Sequence, residues 1–153
     1  MKTSAEMTMH VEPDASTAKA PGDFARKLAK RRALLLRLEE AQWARIVDAL
    51  PDSLAARSRN HATSGSRVDP VRNFVEGVLW VAHTRAYWYQ MPADYGNGHA
   101  IYVRFTRWAQ RGCWKPVIYT LPEGSELRER LASLVTRHLE TRWMRKLSRE
   151  LSA

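Results

Sequence analysis

Residues 98–112 read GHAIYVRFTRWAQRG. Ile101, Phe105 and Trp108 recur at spacings of four and three, which places them on one stripe of an α-helix. Gly98 and Gly112 bracket that stripe as turn residues, so the spacing predicts a helix over about residues 98–111 that stops at Gly112. With Ile101 at the centre of the buried face, the opposite face carries His99, Val103, Thr106, Arg107 and Gln110. Tyr102 sits on one flank, and Arg104 and Arg111 on the other. Arg, Gln and His side chains on an open helix face suit the edges of bases in a major groove, while Thr and Val meet thymine methyls. Flanking arginines suit phosphates. The candidate DNA-binding residues are therefore His99, Val103, Arg104, Thr106, Arg107, Gln110 and Arg111. Any basic amphipathic helix turned to solvent carries a similar pattern.

Upstream, the aromatic run Tyr87-Trp88-Tyr89-Gln90-Met91-Pro92 and the turn Asp94-Tyr95-Gly96-Asn97-Gly98 complete a helix-turn-helix reading of residues 87–111: a short first helix, a glycine turn and a longer second helix. Two further helices precede it. Trp43, Ile46, Val47 and Leu50 form one apolar stripe stopped by Pro51. Asp69-Pro70 opens another as N-cap and first turn. That helix carries Val71, Phe74, Val75, Val78, Leu79, Val81 and Ala82, dense enough for a central, buried position. Trp80 and Trp108 are expected to be buried between it and the 98–111 helix. Residues 52–68, rich in Ser, Arg, Asn and Gly, read as a loop. Val117-Ile118-Tyr119-Thr120-Leu121 is the strongest β-like run, isolated after a proline. The expected fold is all-α: a small helical bundle containing a helix-turn-helix, with an extra C-terminal helix.

That last helix has an unusual pattern. Leu127, Leu131, Val135, Leu139, Trp143, Leu147 and Leu151 recur every fourth residue, and such a stripe winds around a straight helix. Either a bend near residues 138–142 or two contact surfaces follows, the core for the first half and another chain for the second. Residues 140–151 are thus a candidate homodimer interface. The segments expected are a leader over 1–22, a basic helical arm over 23–37 with Arg26, Lys27, Lys30, Arg31 and Arg32, the helix-turn-helix domain over 38–121, and the amphipathic helix over 122–153.

Twenty-five Lys and Arg against sixteen Asp and Glu leave a net charge of +9 on 153 residues, spread along the chain and attractive to a phosphate lattice. The single cysteine, Cys113, excludes an intramolecular disulfide and suits a packed position in a reducing compartment. No apolar run approaches a membrane span. No secretory signal opens the chain, and a cytoplasmic, nucleoid-associated protein is expected. His10, His61, His83, His99 and His138 have no metal-ligand spacing with one another or with Cys113. No phosphate-cradling glycine loop occurs. Neither cofactor nor metal is expected.

From Leu38 to Leu121 the sequence resembles the N-terminal domain of bacterial insertion-sequence transposases of the acidic-triad type. The resemblance rests on Leu38-Glu39-Glu40-Ala41-Gln42-Trp43 followed by Leu50-Pro51, on Val78-Leu79-Trp80-Val81, and on Trp88 with Met91-Pro92. Tyr95-Gly96, Ile101-Tyr102-Val103-Arg104-Phe105-Thr106-Arg107-Trp108 and Gly112-Cys113-Trp114 complete it. The resemblance implies a helical domain that recognises double-stranded DNA, joined in that family to a catalytic domain with a metal-binding acidic trio. It departs from the family at Arg85, where a glycine is usual. It departs also at Trp88-Tyr89-Gln90, in place of Trp-Arg-Asp, and at Asn97-Gly98-His99, where a tryptophan is missing. Nothing resembling the catalytic domain follows Leu121, so a non-catalytic DNA-binding protein is expected, partnered by itself or by a separate transposase catalytic subunit. The alternative is a helical protein–protein interaction or regulatory module that contacts its partner through Tyr87, Trp88, Tyr89 and the tail.

Overall fold

A first helix, α1 (Glu40–Ala49), turns Trp43, Ile46 and Val47 inward and ends at Leu50, whose backbone is extended before Pro51, as the residue before a proline prefers. The computed structural model describes residues 22, 23, 26, 35–63 and 68–153, with only the backbone of 62 and 63. The expected leader apart from residue 22, and two-thirds of the expected arm, lie outside the described residues. Leu36–Ala153 is one compact unit whose described residues form six α-helices and no strand. The all-α expectation holds.

Helix α2 (Asp52–Thr63) occupies most of the stretch read as a loop. Its packed side is made of small residues, Ala55 and Ser58, so it shows no apolar stripe. The Ser58 hydroxyl donates to the Asp69 carboxylate, and Arg59 pairs with Asp48 of α1 at 3.2 Å. Asp69 also caps α3 (Pro70–Thr84), accepting from the Val71 and Arg72 amides at 2.9 and 3.3 Å. As expected, α3 is the central helix, with all seven of its apolar stripe residues buried. It ends on Arg85 at φ 57°, a left-handed backbone that costs a non-glycine residue about 1 kcal/mol. The family's glycine at this position has that physical reason.

Residues 88–90 and 93–95 are two single 3₁₀ turns rather than the expected short first helix. They lead into α4 (Gly98–Arg111), capped by Asn97, which accepts from the Ala100 amide at 3.1 Å, and closed by Gly112 at φ 73°. Only glycine fits at position 98, because a Cβ there would strike the Trp88 carbonyl. The β-like run at 117–121 is instead most of α5 (Trp114–Thr120). Pro116 is tolerated in its first turn, where the missing N–H has no intrahelical partner.

Helix α6 (Glu126–Leu151) is capped by Ser125 and runs unbroken for 26 residues. Its first half packs on α3, α4 and α5, burying Leu131 and Val135. Beyond them the winding stripe leaves the core, and Trp143 and Leu151 are 61 % and 78 % exposed. The bundle is locked by an aromatic cluster. Trp108 meets Phe74 of α3 edge-on at 4.9 Å, and Trp114 meets Trp108 and Phe105 at 5.0 and 5.6 Å. Trp108 is buried as expected, but Trp80 is only half-buried and lies outside the α3–α4 contact, tilted against Tyr95 at 6.5 Å.

Candidate nucleic-acid interface

Helix α4 divides into three faces. Ile101, Phe105, Trp108 and Ala109 are buried. His99, Arg107, Gln110 and Arg111 are exposed beside a half-buried Val103. No carboxylate occurs between Asp94 and Glu123, so this open face and its surroundings are free of negative charge along the chain. Two of the expected residues sit elsewhere. Thr106 turns toward α6, and its hydroxyl donates to the Val103 carbonyl at 2.7 Å. The Arg104 guanidinium lies 4.6 Å over the Phe74 ring, where burial, and then the nearby Arg57 cation, push it below the usual arginine range. Arg104 is a packing residue on α3 as much as a surface cation.

A second basic feature was hidden in the sequence by the leucine stripe of α6. Between α4, the end of α3 and α6 runs an open groove of about 1060 Å³, walled on the α4 side by Tyr102, Phe105 and Thr106 and nearby by Trp88. Its α6 wall carries Arg137, His138, Arg142, Arg145 and Arg149. Those four arginines fall within an arc of about 140° on a helical projection, away from the Leu139–Trp143–Leu147 side. The distal half of α6 is therefore amphipathic, with these four arginines on the groove side and its apolar residues away from it. His138 stands edge-on to Phe105 and Tyr102 at 5.4 and 6.1 Å. Burial, with Arg142 and Arg145, holds its pKa below the ordinary histidine value. Its Nε2 is buried without a hydrogen-bond partner among the described residues.

The segment before α1 is fixed by a buried carboxylate that sequence reasoning also missed. Glu76, inside the apolar run of α3, accepts from Arg37 at 2.7 Å, from Arg72 Nε at 2.9 Å and from the Leu38 amide at 3.2 Å. Arg72 continues to Glu40 at 2.6 Å. The Tyr95 hydroxyl donates to the Leu36 carbonyl at 2.8 Å, and burial pushes its pKa up to about 12, so the phenol stays a donor. A lone Glu in Phe74-Val75-Glu76-Gly77-Val78 was the available signal, since a buried charge requires partners.

Cys113 is buried and its thiol is pushed up by burial, which suits packing and not nucleophilic chemistry. Among the described residues no group of three or more His, Cys, Asp or Glu side chains is placed to hold a metal ion, and no helix is long and apolar enough to cross a membrane.

A family model described as "Putative transposase of IS4/5 family" (DUF4096) matches residues 38–118. The match begins at the Glu76-bound segment and ends within α5, so it contains all of α1 to α4 and stops short of α6. No curated protein and no solved structure matches the chain.

Proposed function

The chain belongs to this IS4/5 transposase family, and from that premise we propose that residues 38–121 bind double-stranded DNA, with the open face of α4 in the major groove. The observation that carries the reading is α4 itself: a capped, rigidly packed helix whose exposed side presents His99, Arg107, Gln110 and Arg111 in a carboxylate-free stretch. Base edges are read by such side chains when the helix axis is fixed by packing. In this reading the protein takes part in transposition of an insertion element without performing strand transfer itself. A separate catalytic subunit supplies the chemistry, and the site of action is the nucleoid.

Selection of bound sequences from a random pool of DNA duplexes, followed by electrophoretic shift assays, tests it. Arg107→Ala is expected to weaken binding to the selected sequence by about 1–3 kcal/mol and to relax preference at one base position. Arg104→Ala is expected to lower thermal stability, because it uncovers Phe74. Retention of wild-type affinity and preference by Arg107→Ala/Gln110→Ala would remove α4 from the interface.

The second partner in this reading is another copy of the chain, docked on the apolar side of distal α6. Leu139, Trp143, Met144 and Leu151 are exposed there, on a helix whose buried residues, Leu131 and Val135, both lie in its first half, and apolar surface of this kind favours association. A two-fold pair also matches DNA sites of two-fold symmetry. Sedimentation of the intact chain is expected to show a dimer, and a chain ending at Leu139 is expected to be monomeric. A monomer in both cases excludes this interface.

A further inference from the structure

Resting on the DNA-binding reading above, we propose that the groove between α4 and the distal half of α6 is a second DNA site, one that holds backbone phosphates of the duplex beside the bases read by α4. The groove borders the open face of α4: Tyr102 and Thr106 form its wall, and on a helical projection His99 and Gln110 stand next to Thr106. DNA seated on His99, Arg107 and Gln110 therefore brings one strand past the α6 wall.

The chemistry of that wall is selective for a polyanion. Among the described residues none of Arg137, Arg142, Arg145 and Arg149 is ion-paired; Arg149 makes only a 3.4 Å bond from Nε to the Arg145 carbonyl. Carboxylates line only the near end of the groove. Glu126 there is held by Arg130, and Glu129 precedes Arg137 on α6 by eight residues, about 12 Å of helix. Glu140 and Glu150 are not groove residues, and Glu150 is 4.0 Å from Lys146.

From Arg137 to Arg149 the helix rises roughly 18 Å, the axial length of about five phosphates on one strand of a duplex. Four guanidiniums over that length match a phosphodiester backbone in both charge and spacing. Arginine forks bind phosphate oxygens in pairs, and none of these contacts reads a base. The site adds affinity and register to α4 and leaves sequence preference to α4.

The test is the salt dependence of binding to a selected duplex and to a pool of random-sequence duplexes, for the intact chain and for Arg142→Gln/Arg145→Gln/Arg149→Gln. Glutamine keeps the helix-forming tendency of the replaced residues, and an unchanged circular dichroism melt identifies the variant as folded. The slope of log affinity against log salt is expected to fall by about 2–3 units, with affinity about tenfold weaker or more at fixed salt and sequence preference unaltered. Arg107→Ala/Gln110→Ala, run in parallel, is expected to lose preference and keep most of the slope. A triple variant with the wild-type slope overturns this inference and leaves α4 in place. An intact chain that binds neither duplex overturns the DNA-binding reading and this site with it.

Discussion

Trp114→Ala is expected to cost about 3–5 kcal/mol of stability, roughly 10–20 °C in melting temperature for a unit of this size. The indole is 1 % exposed and touches three other rings: Phe74 on α3 at 5.8 Å, and Phe105 and Trp108 on α4 at 5.6 and 5.0 Å. Its N–H also donates to the Phe105 carbonyl at 3.2 Å. Truncation therefore removes a large buried surface, opens a cavity where three helices meet, and strips a buried carbonyl of its side-chain donor. Rigid neighbours on α3 and α4 limit collapse into that space, which puts the cost at the upper end for aromatic truncations. Trp108→Ala is expected to follow closely, and Trp80→Ala to cost distinctly less, since Trp80 is only half-buried. Thermal denaturation followed by circular dichroism gives the order. Equal losses for Trp80→Ala and Trp114→Ala would contradict the aromatic cluster as the keystone.

That ranking shows what was legible in the chain before its structure. The faces of α1, α3 and α4 were readable because their signals are local: an apolar stripe at helical period, Asp69-Pro70 at a start, Leu50-Pro51 and Gly112 at ends. Helix α2 was not, because its packed side is Ala55 and Ser58, and small residues leave no hydropathy pattern. The run over 117–121 reads as β-like because Val117 and Ile118 favour strands locally, while the packing of Trp114 and Val117 decides the matter. Of the α4 residues singled out for DNA, helical periodicity places His99, Arg107 and Gln110 on the open side, where the structure has them, and puts Arg111, also exposed, on a flank. It had no means of placing Arg104 over Phe74, since Phe74 lies thirty residues away in sequence. The arginine groove was hidden for the same reason. It exists only because the first half of α6 docks on α3 and α4, and that docking turns the second half's cations toward Tyr102 and Thr106.

Arg72→Met is expected to cost about 3–5 kcal/mol, the range for leaving one partner of a buried ion pair uncompensated. The Glu76 side chain is 2 % exposed and that of Arg72 22 % exposed, so the carboxylate has little water to replace the lost cation. Arg37 remains bound to it, but its own side chain is 48 % exposed, and water screens a pair of that kind. Arg37→Met is therefore expected to cost about 1 kcal/mol or less. The asymmetry is informative because both arginines contact the same carboxylate at similar distance but differ in burial. Arg72 also donates to the Leu38 carbonyl and to Glu40, so its loss frees the segment that enters α1 as well as the charge beneath it. Glu76→Leu/Arg72→Met removes the buried charge together with its cation and is expected to recover much of the loss, since a well-packed apolar pair is often no less stable than an ion pair in such a site. Chemical denaturation of the four proteins, with amide exchange at Leu38 as the local readout, checks the order. If Arg37→Met proved as costly as Arg72→Met, burial would not be what sets the strength of this network.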